Sequence, residues 1–195
     1  DEINSVRLTD RLKPRAGPPA NVRMRRVLRH AALPVLIGVW PIARLWYRAW
    51  GLTLDGRPDD PIWYFAYGSN MHAGAFCHRR GMRPDEARIG RIKGYRLRFY
   101  LDGWPRGRSA PANISPDSNA EVWGVLYRIK RRDFVVLNAS EGVPGRGYKP
   151  ALLDAEDQNG TSIPAYAYTA TGKERDGKPS LRYISLISDG AREHG

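Results

Sequence analysis

The stretch YFAYGSNM, residues 64–71, changes from strand-forming to turn-forming residues within eight positions. Its aromatic residues favour a strand, whereas Gly68, Ser69 and Asn70 favour a turn. If Ser69 or Asn70 begins a helix over Met71–Arg80, several backbone N–H groups there lack helical partners. Such a turn can hold a carboxylate or the oxygen of a polarised carbonyl. An ordinary strand-to-helix turn explains the same residues, and the stretch alone favours that simpler interpretation.

A second candidate for chemistry is Glu141, in the stretch LNASEGVPGRGY, residues 137–148. An apolar helical pattern ends at Glu141, and a glycine-rich loop follows it. A carboxylate in the last turn of a helix faces the negative end of the helix dipole. This unfavourable placement indicates a function for Glu141. The alternative is an exposed helical glutamate with Gly142 as the C-cap, which this segment alone favours.

The four histidines and the single cysteine, Cys77, give little sign of chemistry. Their spacing does not match a zinc finger or a metalloprotease, so we expect no structural metal. One cysteine cannot form an intrachain disulfide, which favours a reducing compartment such as the cytoplasm. We expect Cys77 to pack in its helix rather than to act as a nucleophile.

The elements that must position these residues lie after Ile62, where the sequence pattern predicts an α+β domain. Alternating apolar and polar residues, such as Tyr95, Leu97 and Phe99, indicate half-buried strands. Because helices do not regularly separate the strands, a partly closed antiparallel barrel with helices around its rim is favoured over a doubly wound parallel sheet. The predicted strands are Ile62–Tyr67, Arg91–Leu101, Glu121–Ile129, Tyr148–Asp154 and Ser162–Thr169. The predicted helices are Met71–Arg80, Arg131–Ser140 and Pro179–Glu193.

Residues 1–61 form a basic extension before this domain. Residues 1–23 are polar and broken by prolines, which is typical of a flexible tail. From Met24 a basic stretch precedes thirteen uncharged, largely apolar residues. Were Met24 the start, this would have the outline of a signal peptide or short anchor, although the run is shorter than the ~20 residues that span a bilayer. The arginines and tryptophans around it suit peripheral contact with a membrane through residues 24–50, and a helix packed on the domain suits them equally.

The net charge of +12 is spread along the chain and comes mostly from arginine. Nucleic-acid binding needs a basic face with stacking aromatics or a recognisable motif, and the sequence has neither. We therefore expect no nucleic-acid partner.

Three segments in order resemble the γ-glutamylcyclotransferase family. They are YFAYGSNM, then EVWGVLYRI with LNASEGVPGRGY, and finally PSLRYISLISDGAREHG. The resemblance covers residues 62–195. It implies a small mixed, mainly antiparallel β-barrel with surrounding helices, in agreement with the strand pattern.

The resemblance also implies the roles of particular residues. Glu141 matches the catalytic carboxylate, and Tyr183 matches a tyrosine that closes over the substrate. Tyr148 falls where the family commonly has an aromatic residue after the catalytic loop. The loop that cradles the γ-glutamyl group matches Tyr64, Phe65, Ala66, Tyr67, Gly68, Ser69 and Asn70.

The implied reaction is an intramolecular cyclisation of a small γ-glutamyl compound to 5-oxoproline, with release of an amino acid or amine. It requires no cofactor and no metal. Free γ-glutamyl amino acids are the favoured substrates, because relatives specific for glutathione or γ-glutamylamines usually vary the Tyr-Gly-Ser-Asn turn. The sequence leaves the oligomeric state open.

The chain departs from the family at its end. The family continues beyond Gly-Ala-x-Glu with Gly-Leu-Pro and another helix, so we expect the catalytic domain, residues 62–195, to be truncated. Two other classes stay open: a non-catalytic domain that binds γ-glutamyl metabolites, and a membrane-associated accessory protein whose main feature is residues 24–50.

Overall fold

The computed structural model describes residues 45, 56–101, 110–141, 143, 148–170 and 177–195. The strands are β1 (Pro61–Ala66), β2 (Glu86–Arg98), β3 (Asn113–Lys130), β4 (Tyr148–Asp157) and β5 (Ser162–Ala170). The helices are a 3₁₀ helix (Ser69–Met71), a π-helix (Gly74–Arg79), α1 (Arg131–Glu141) and α2 (Leu181–His194). The predicted extension, residues 1–61, lies almost wholly outside the described residues.

The five strands close into a barrel in the order β1-β3-β2-β4-β5. All neighbouring pairs are antiparallel except β1 and β5, which run parallel. The mixed barrel implied by the family resemblance is therefore confirmed. The strand pattern alone predicted a partly closed antiparallel barrel, which was wrong because it could not show the β1–β5 pair that closes the sheet.

The hairpin of β2 and β3 is longer than predicted, since both strands include residues of low strand propensity. Residues 113–120, NISPDSNA, lack an apolar alternation, yet residues 113–116 pair with residues 95–98 of β2. The pairing shifts register between Lys93 and Tyr95, where Gly94 adopts a φ of +76°. A bulge at this position bends the hairpin, and glycine supplies the left-handed conformation without strain.

Strand β1 is buried on both faces, and this accounts for its nearly unbroken apolar sequence. One face joins side chains from all five strands inside the barrel, including Phe65, Leu126 and Ala165. The other face lies under α1 and the π-helix, where Tyr64 contacts Phe76 at a ring distance of 5.7 Å. The end of β1 is thus held from two sides before the chain turns.

The helix predicted over Met71–Arg80 is instead two short pieces, a 3₁₀ helix and a π-helix. The N–H of Ala73 donates to Glu193 Oε2 at 2.7 Å, and the N–H of Gly74 donates to His72 Nδ1 at 2.9 Å. Because these side chains take the amides that a continuous α-helix would bond to its own carbonyls, the helix is interrupted.

Helix α2 fixes the turn that follows β1. Ser180 caps its start by accepting from the N–H of Tyr183. Near its other end, a Cβ added at Gly190 would lie 2.5 Å from the backbone nitrogen of His72, so only glycine permits this approach. His194 Nε2 lies 3.1 Å from the carbonyl oxygen of Met71. Helix α2 therefore fixes the turn in two ways, by a hydrogen bond to the peptide group of Met71 and by close packing of Gly190 against His72.

None of the described helices is both long and apolar enough to cross a bilayer. The segment for which membrane contact was predicted, residues 24–50, lies outside the described residues except for Leu45.

Candidate active site

A pocket opens where β1 ends and the 3₁₀ helix begins. It collects eight of the ten residues that the sequence predicted for the site, although these come from four separate parts of the chain. Its lining consists of Tyr64, Tyr67, Gly68, Ser69, Asn70, Ala112, Glu141, Tyr148, Tyr168 and Tyr183.

Two predicted site residues, Phe65 and Ala66, do not line the pocket. Phe65 points into the barrel interior and Ala66 packs in the cluster outside the barrel, and both are almost completely buried. Residues of one strand alternate between its faces, so seven consecutive residues could not all face one cavity. Their side chains lie outside the pocket lining, and their role as substrate contacts stays a prediction.

Glu141 is the only carboxylate among the described residues that line the pocket. It is the last residue of α1, as predicted, and its side chain is 15% exposed. Its Oε1 accepts a hydrogen bond from Asn70 Nδ2 at 2.9 Å and pairs with Arg80 Nη2 at 2.9 Å. Both contacts fall on one oxygen.

Asn70 connects the turn to the end of α1. Its side chain is buried and donates from Nδ2 to Tyr64 Oη at 2.9 Å as well as to Glu141. Its Oδ1 accepts from Arg80 Nε at 2.7 Å. The amide orientation of Asn70 is thus fixed by a donor on one side and acceptors on the other.

Free N–H groups were predicted at the start of the helix after β1, but two of the N–H groups in this turn are already hydrogen-bonded. The N–H of Met71 donates to the carbonyl of Gly68 at 3.0 Å, and that of His72 to the carbonyl of Ser69 at 3.3 Å. Gly68 itself allows a close approach, because a Cβ there would lie 3.1 Å from Tyr183 Oη. The turn is therefore shaped to meet the tyrosine of α2.

Three of the five pocket tyrosines donate their hydroxyl hydrogens to the protein. Tyr67 donates to the carbonyl of Tyr168, and Tyr168 to Asn138 Oδ1 at 2.5 Å. Tyr148 donates to the carbonyl of Ala112 at 2.5 Å. These bonds fix the rings as rigid walls.

The hydroxyl oxygens of Tyr64 and Tyr183 accept instead. Tyr64 accepts from Asn70, and Tyr183 accepts from the N–H of Ala112 at 3.0 Å. Burial, with a smaller effect of the Glu141 charge, raises the pKa of Tyr64 above its usual range. Burial likewise raises the pKa of Tyr183, against the lowering effect of hydrogen bonds from Ala112 and Ser69. Both tyrosines are therefore neutral at physiological pH and keep a hydrogen to donate.

Burial also raises the pKa of Tyr67 and of Tyr148. Glu141 is thus surrounded by neutral hydroxyl groups. Outside the pocket, Cys77 packs against the outer core cluster, and burial raises the pKa of its thiol to about 11. A protonated thiol is a poor nucleophile. Within the described ranges, no three histidine, cysteine or acidic side chains come together in a group that could hold a metal.

Sequence reasoning missed three residues of the site: Arg80, Tyr168 and Ala112. Tyr168 shares a face of β5 with Tyr166, which does not line the pocket, so the strand alternation alone could not single it out. Ala112 contributes through its backbone, and Arg80 through an ion pair with a residue sixty-one positions away. Neither has a local sequence signal.

The chain is similar to a γ-glutamylcyclotransferase of Bos taurus. The two are 30% identical over 148 residues, which cover 73% of this chain and 76% of that protein. A γ-glutamyl cyclotransferase of Aspergillus oryzae is 32% identical over 156 residues, covering 69% of this chain and 56% of the fungal protein.

A solved structure and a family model also match this chain. A solved γ-glutamyl cyclotransferase matches with a TM-score of 0.61 and 26% identity, over 70% of this chain and 81% of its own. The AIG2-like family model matches residues 121–195. The sequence relatives and the structural relatives are therefore of one kind. The chain belongs to the γ-glutamylcyclotransferase family.

Proposed function

We propose that the protein is a γ-glutamylcyclotransferase that converts γ-glutamyl amino acids to 5-oxoproline and a free amino acid, with Glu141 as general acid and base. The observation that carries this proposal is the Glu141 carboxylate, held at 2.9 Å by Asn70 and by Arg80 in the tyrosine-lined pocket. The membership of the family supports the same reaction.

The reaction forms one bond and breaks one bond within the same substrate. The α-amino nitrogen attacks the γ-carbonyl carbon, and the bond from that carbon to the amide nitrogen breaks. Because both reacting groups belong to one molecule, a pocket that folds the γ-glutamyl chain brings them to attack distance. The rigid walls formed by Tyr67, Tyr148 and Tyr168 suit that task.

Proton transfer needs a group that both accepts and donates. The α-amine is an ammonium at neutral pH and cannot attack until it loses a proton, while the leaving nitrogen must gain one. Glu141 can take the first proton and pass it to the leaving nitrogen. Once the new carbon–nitrogen bond has formed, the ring nitrogen loses a second proton to Glu141, and the released amino group takes up this proton to become an ammonium. Since Oε1 already accepts from Asn70 and pairs with Arg80, Oε2 is the oxygen proposed to carry the proton.

The developing negative charge on the carbonyl oxygen needs hydrogen-bond donors. Tyr183 suits this role, because its oxygen accepts from the N–H of Ala112 and its own hydrogen remains to be donated. We assign the substrate contacts to Tyr64, Tyr67, Gly68, Ser69 and Asn70, together with Tyr148 and Tyr183. Neutral donors stabilise such a charge when they are already oriented in a site that excludes water.

The test is to incubate the protein with γ-glutamyl dipeptides and to measure 5-oxoproline. We expect Glu141→Gln, which keeps the shape of the side chain but removes its basicity, to lower kcat by more than about 100-fold. Glu121→Gln, an exposed glutamate on β3, is the matched control and should retain activity. Equal product from Glu141→Gln would contradict the role of Glu141.

The preferred leaving group can be identified by measuring 5-oxoproline release from a panel of γ-glutamyl substrates. We propose γ-glutamyl amino acids as the preferred class, and glutathione and γ-glutamylamines are the comparison arms. A fold relative specific to glutathione, from yeast, is only 14% identical and shares the fold alone at a TM-score of 0.52. Saturable binding of every substrate without release of 5-oxoproline would instead identify a non-catalytic binding domain.

A further inference from the structure

We propose that Arg80 is a positioning residue that orients the Glu141 carboxylate for proton transfer, a role that rests on the proposed function. Its guanidinium group joins the turn after β1 to the end of α1, where the reaction would take place. Arg80 lies outside the pocket lining, so it would act through Glu141 and Asn70 rather than on the substrate.

Each nitrogen of the guanidinium group has its own partner. Nε donates to Asn70 Oδ1 at 2.7 Å, and Nη1 donates to Ser140 Oγ at 2.8 Å. Nη2 pairs with Glu141 Oε1 at 2.9 Å. Because three partners fix a planar group in three directions, Arg80 determines where Oε1 lies, and with it the direction in which Oε2 points.

The π-helix brings Arg80 to this position. The N–H of Arg80 donates to the carbonyl of Ala75 at 3.1 Å, the five-residue spacing of a π-helix. Gly81 follows with a φ of +70°, a conformation that favours glycine, and turns the chain away. The π-helix is a rare element that is frequent at functional sites, and here the residue that contacts Glu141 directly follows its last residue, Arg79.

Arg80 also explains how a carboxylate is tolerated at the end of α1. The negative end of a helix dipole disfavours Glu141, and a cation 2.9 Å away offsets that repulsion. The side chains of Arg80 and Glu141 are only 18% and 15% exposed, so solvent screens the pair weakly. The cation comes from a segment far from Glu141 in the sequence.

An arginine bound in this way is poorly suited to hold the substrate carboxylate. Each of its three nitrogens already has one partner, and although Nη1 and Nη2 each keep a second hydrogen, the guanidinium group does not line the pocket that would hold the substrate. Removing Arg80 should therefore lower kcat and leave KM nearly unchanged, which is the pattern of a group that matters only in the transition state.

The experiment compares Arg80→Ala, Arg80→Lys and the matched control Arg83→Ala, which removes an exposed arginine three residues away. We expect Arg80→Ala to lower kcat by about 100-fold, as displacement of a catalytic group by about 1 Å does. Arg80→Lys should recover only part of the loss, because an ammonium cannot reproduce the planar fork. Arg83→Ala should keep the wild-type kcat. A wild-type kcat in Arg80→Ala would overturn the proposal.

Chemical rescue separates positioning from general damage to the fold. Guanidinium chloride, far below unfolding concentrations, should partly restore kcat in Arg80→Ala but not in Glu141→Gln. If Arg80→Ala binds 5-oxoproline more weakly than the wild type and guanidinium chloride does not restore its kcat, the positioning role is overturned.

If the wild-type protein forms no 5-oxoproline, the proposed function fails and the geometry is still testable. A crystal structure of Arg80→Ala then decides it: a displaced Glu141 side chain supports positioning by Arg80, and an unmoved one overturns it.

Discussion

The two halves of the candidate site, the turn after β1 and the end of α1, are held in place by different means. The turn at residues 67–72 is fixed by backbone hydrogen bonds and by close packing at Gly68 and Gly190. Glu141 is fixed by the side chains of Asn70 and Arg80. The turn, which we call the packed half, is thus held mainly by the main chain and by close packing. Glu141 with Asn70 and Arg80, which we call the network half, is held by contacts between side chains.

The largest effect is expected from breaking the packed half at Gly190. In Gly190→Ala the new Cβ would lie 2.5 Å from His72 N and 2.8 Å from Met71 C, and neither backbone atom can move aside. Overpacking costs about 3 kcal/mol, while alanine favours a helix by about 1 kcal/mol. We expect a net loss of about 2 kcal/mol in the free energy of unfolding, measured by urea denaturation.

Ser185→Ala, an exposed position of the same helix, is the control for Gly190→Ala. It should change the free energy of unfolding by less than about 0.5 kcal/mol. If Gly190→Ala is as stable as the wild type, α2 does not fix the turn through this contact.

The sequence predicted the packed half of the site better than the network half. The strand alternation and the turn residues of YFAYGSNM are local signals, and β1 ends at Ala66, one residue before the predicted end at Tyr67. The pattern could not show that Glu193, 120 residues away, takes the N–H of Ala73 and interrupts the predicted helix. Contacts between distant side chains leave no period or turn signature in one sequence.

Glu141 illustrates the same limit. Its place at the end of α1 was predicted, and the conflict with the helix dipole was the signal. The cation that resolves the conflict, Arg80, looked like one of many surface arginines. The family resemblance supplied the proposed function of Glu141, whereas its supporting contacts required the three-dimensional arrangement.

The network half is tested at Asn70, where a smaller loss of stability is expected. Asn70→Ala removes a donor to both Tyr64 Oη and Glu141 Oε1. Loss of a buried partner costs about 1–3 kcal/mol, and we expect about 1 kcal/mol here together with at least a tenfold fall in kcat. Stopped assays of 5-oxoproline and urea denaturation measure the two effects.

Asn119→Ala, an exposed asparagine on β3, is the control for Asn70→Ala and should match the wild type. Asn70 and Arg80 hold the same oxygen, so the double variant should lose less activity than the product of the two single losses. Strictly multiplicative losses would show that the two side chains act independently and that no network joins them.

The smallest effect concerns the contact between α2 and the turn through His194. Its Nε2 lies 3.0 Å from Tyr127 Oη and 3.1 Å from the Met71 carbonyl oxygen. Burial lowers the pKa of His194, against the raising effects of the hydrogen bond to Met71 and of the Glu193 charge. Below about pH 6.5, the value for an unfolded histidine, the unfolded chain binds more protons than the folded chain. Stability should therefore fall as the pH drops from about 6.5 through the folded pKa, and be fully present above that window.

Comparison with His194→Gln isolates this contribution, because glutamine keeps a polar side chain but does not titrate. Between about pH 7 and pH 5, the wild-type free energy of unfolding should fall more than that of the variant. Equal pH slopes would show that His194 titrates alike in both states, and the contact at Met71 would then not depend on a neutral imidazole. Because Tyr127 Oη also donates to the Met71 carbonyl at 3.0 Å, the turn should keep its position in the variant. The packed half of the site would then lose stability with acid while its geometry stays intact.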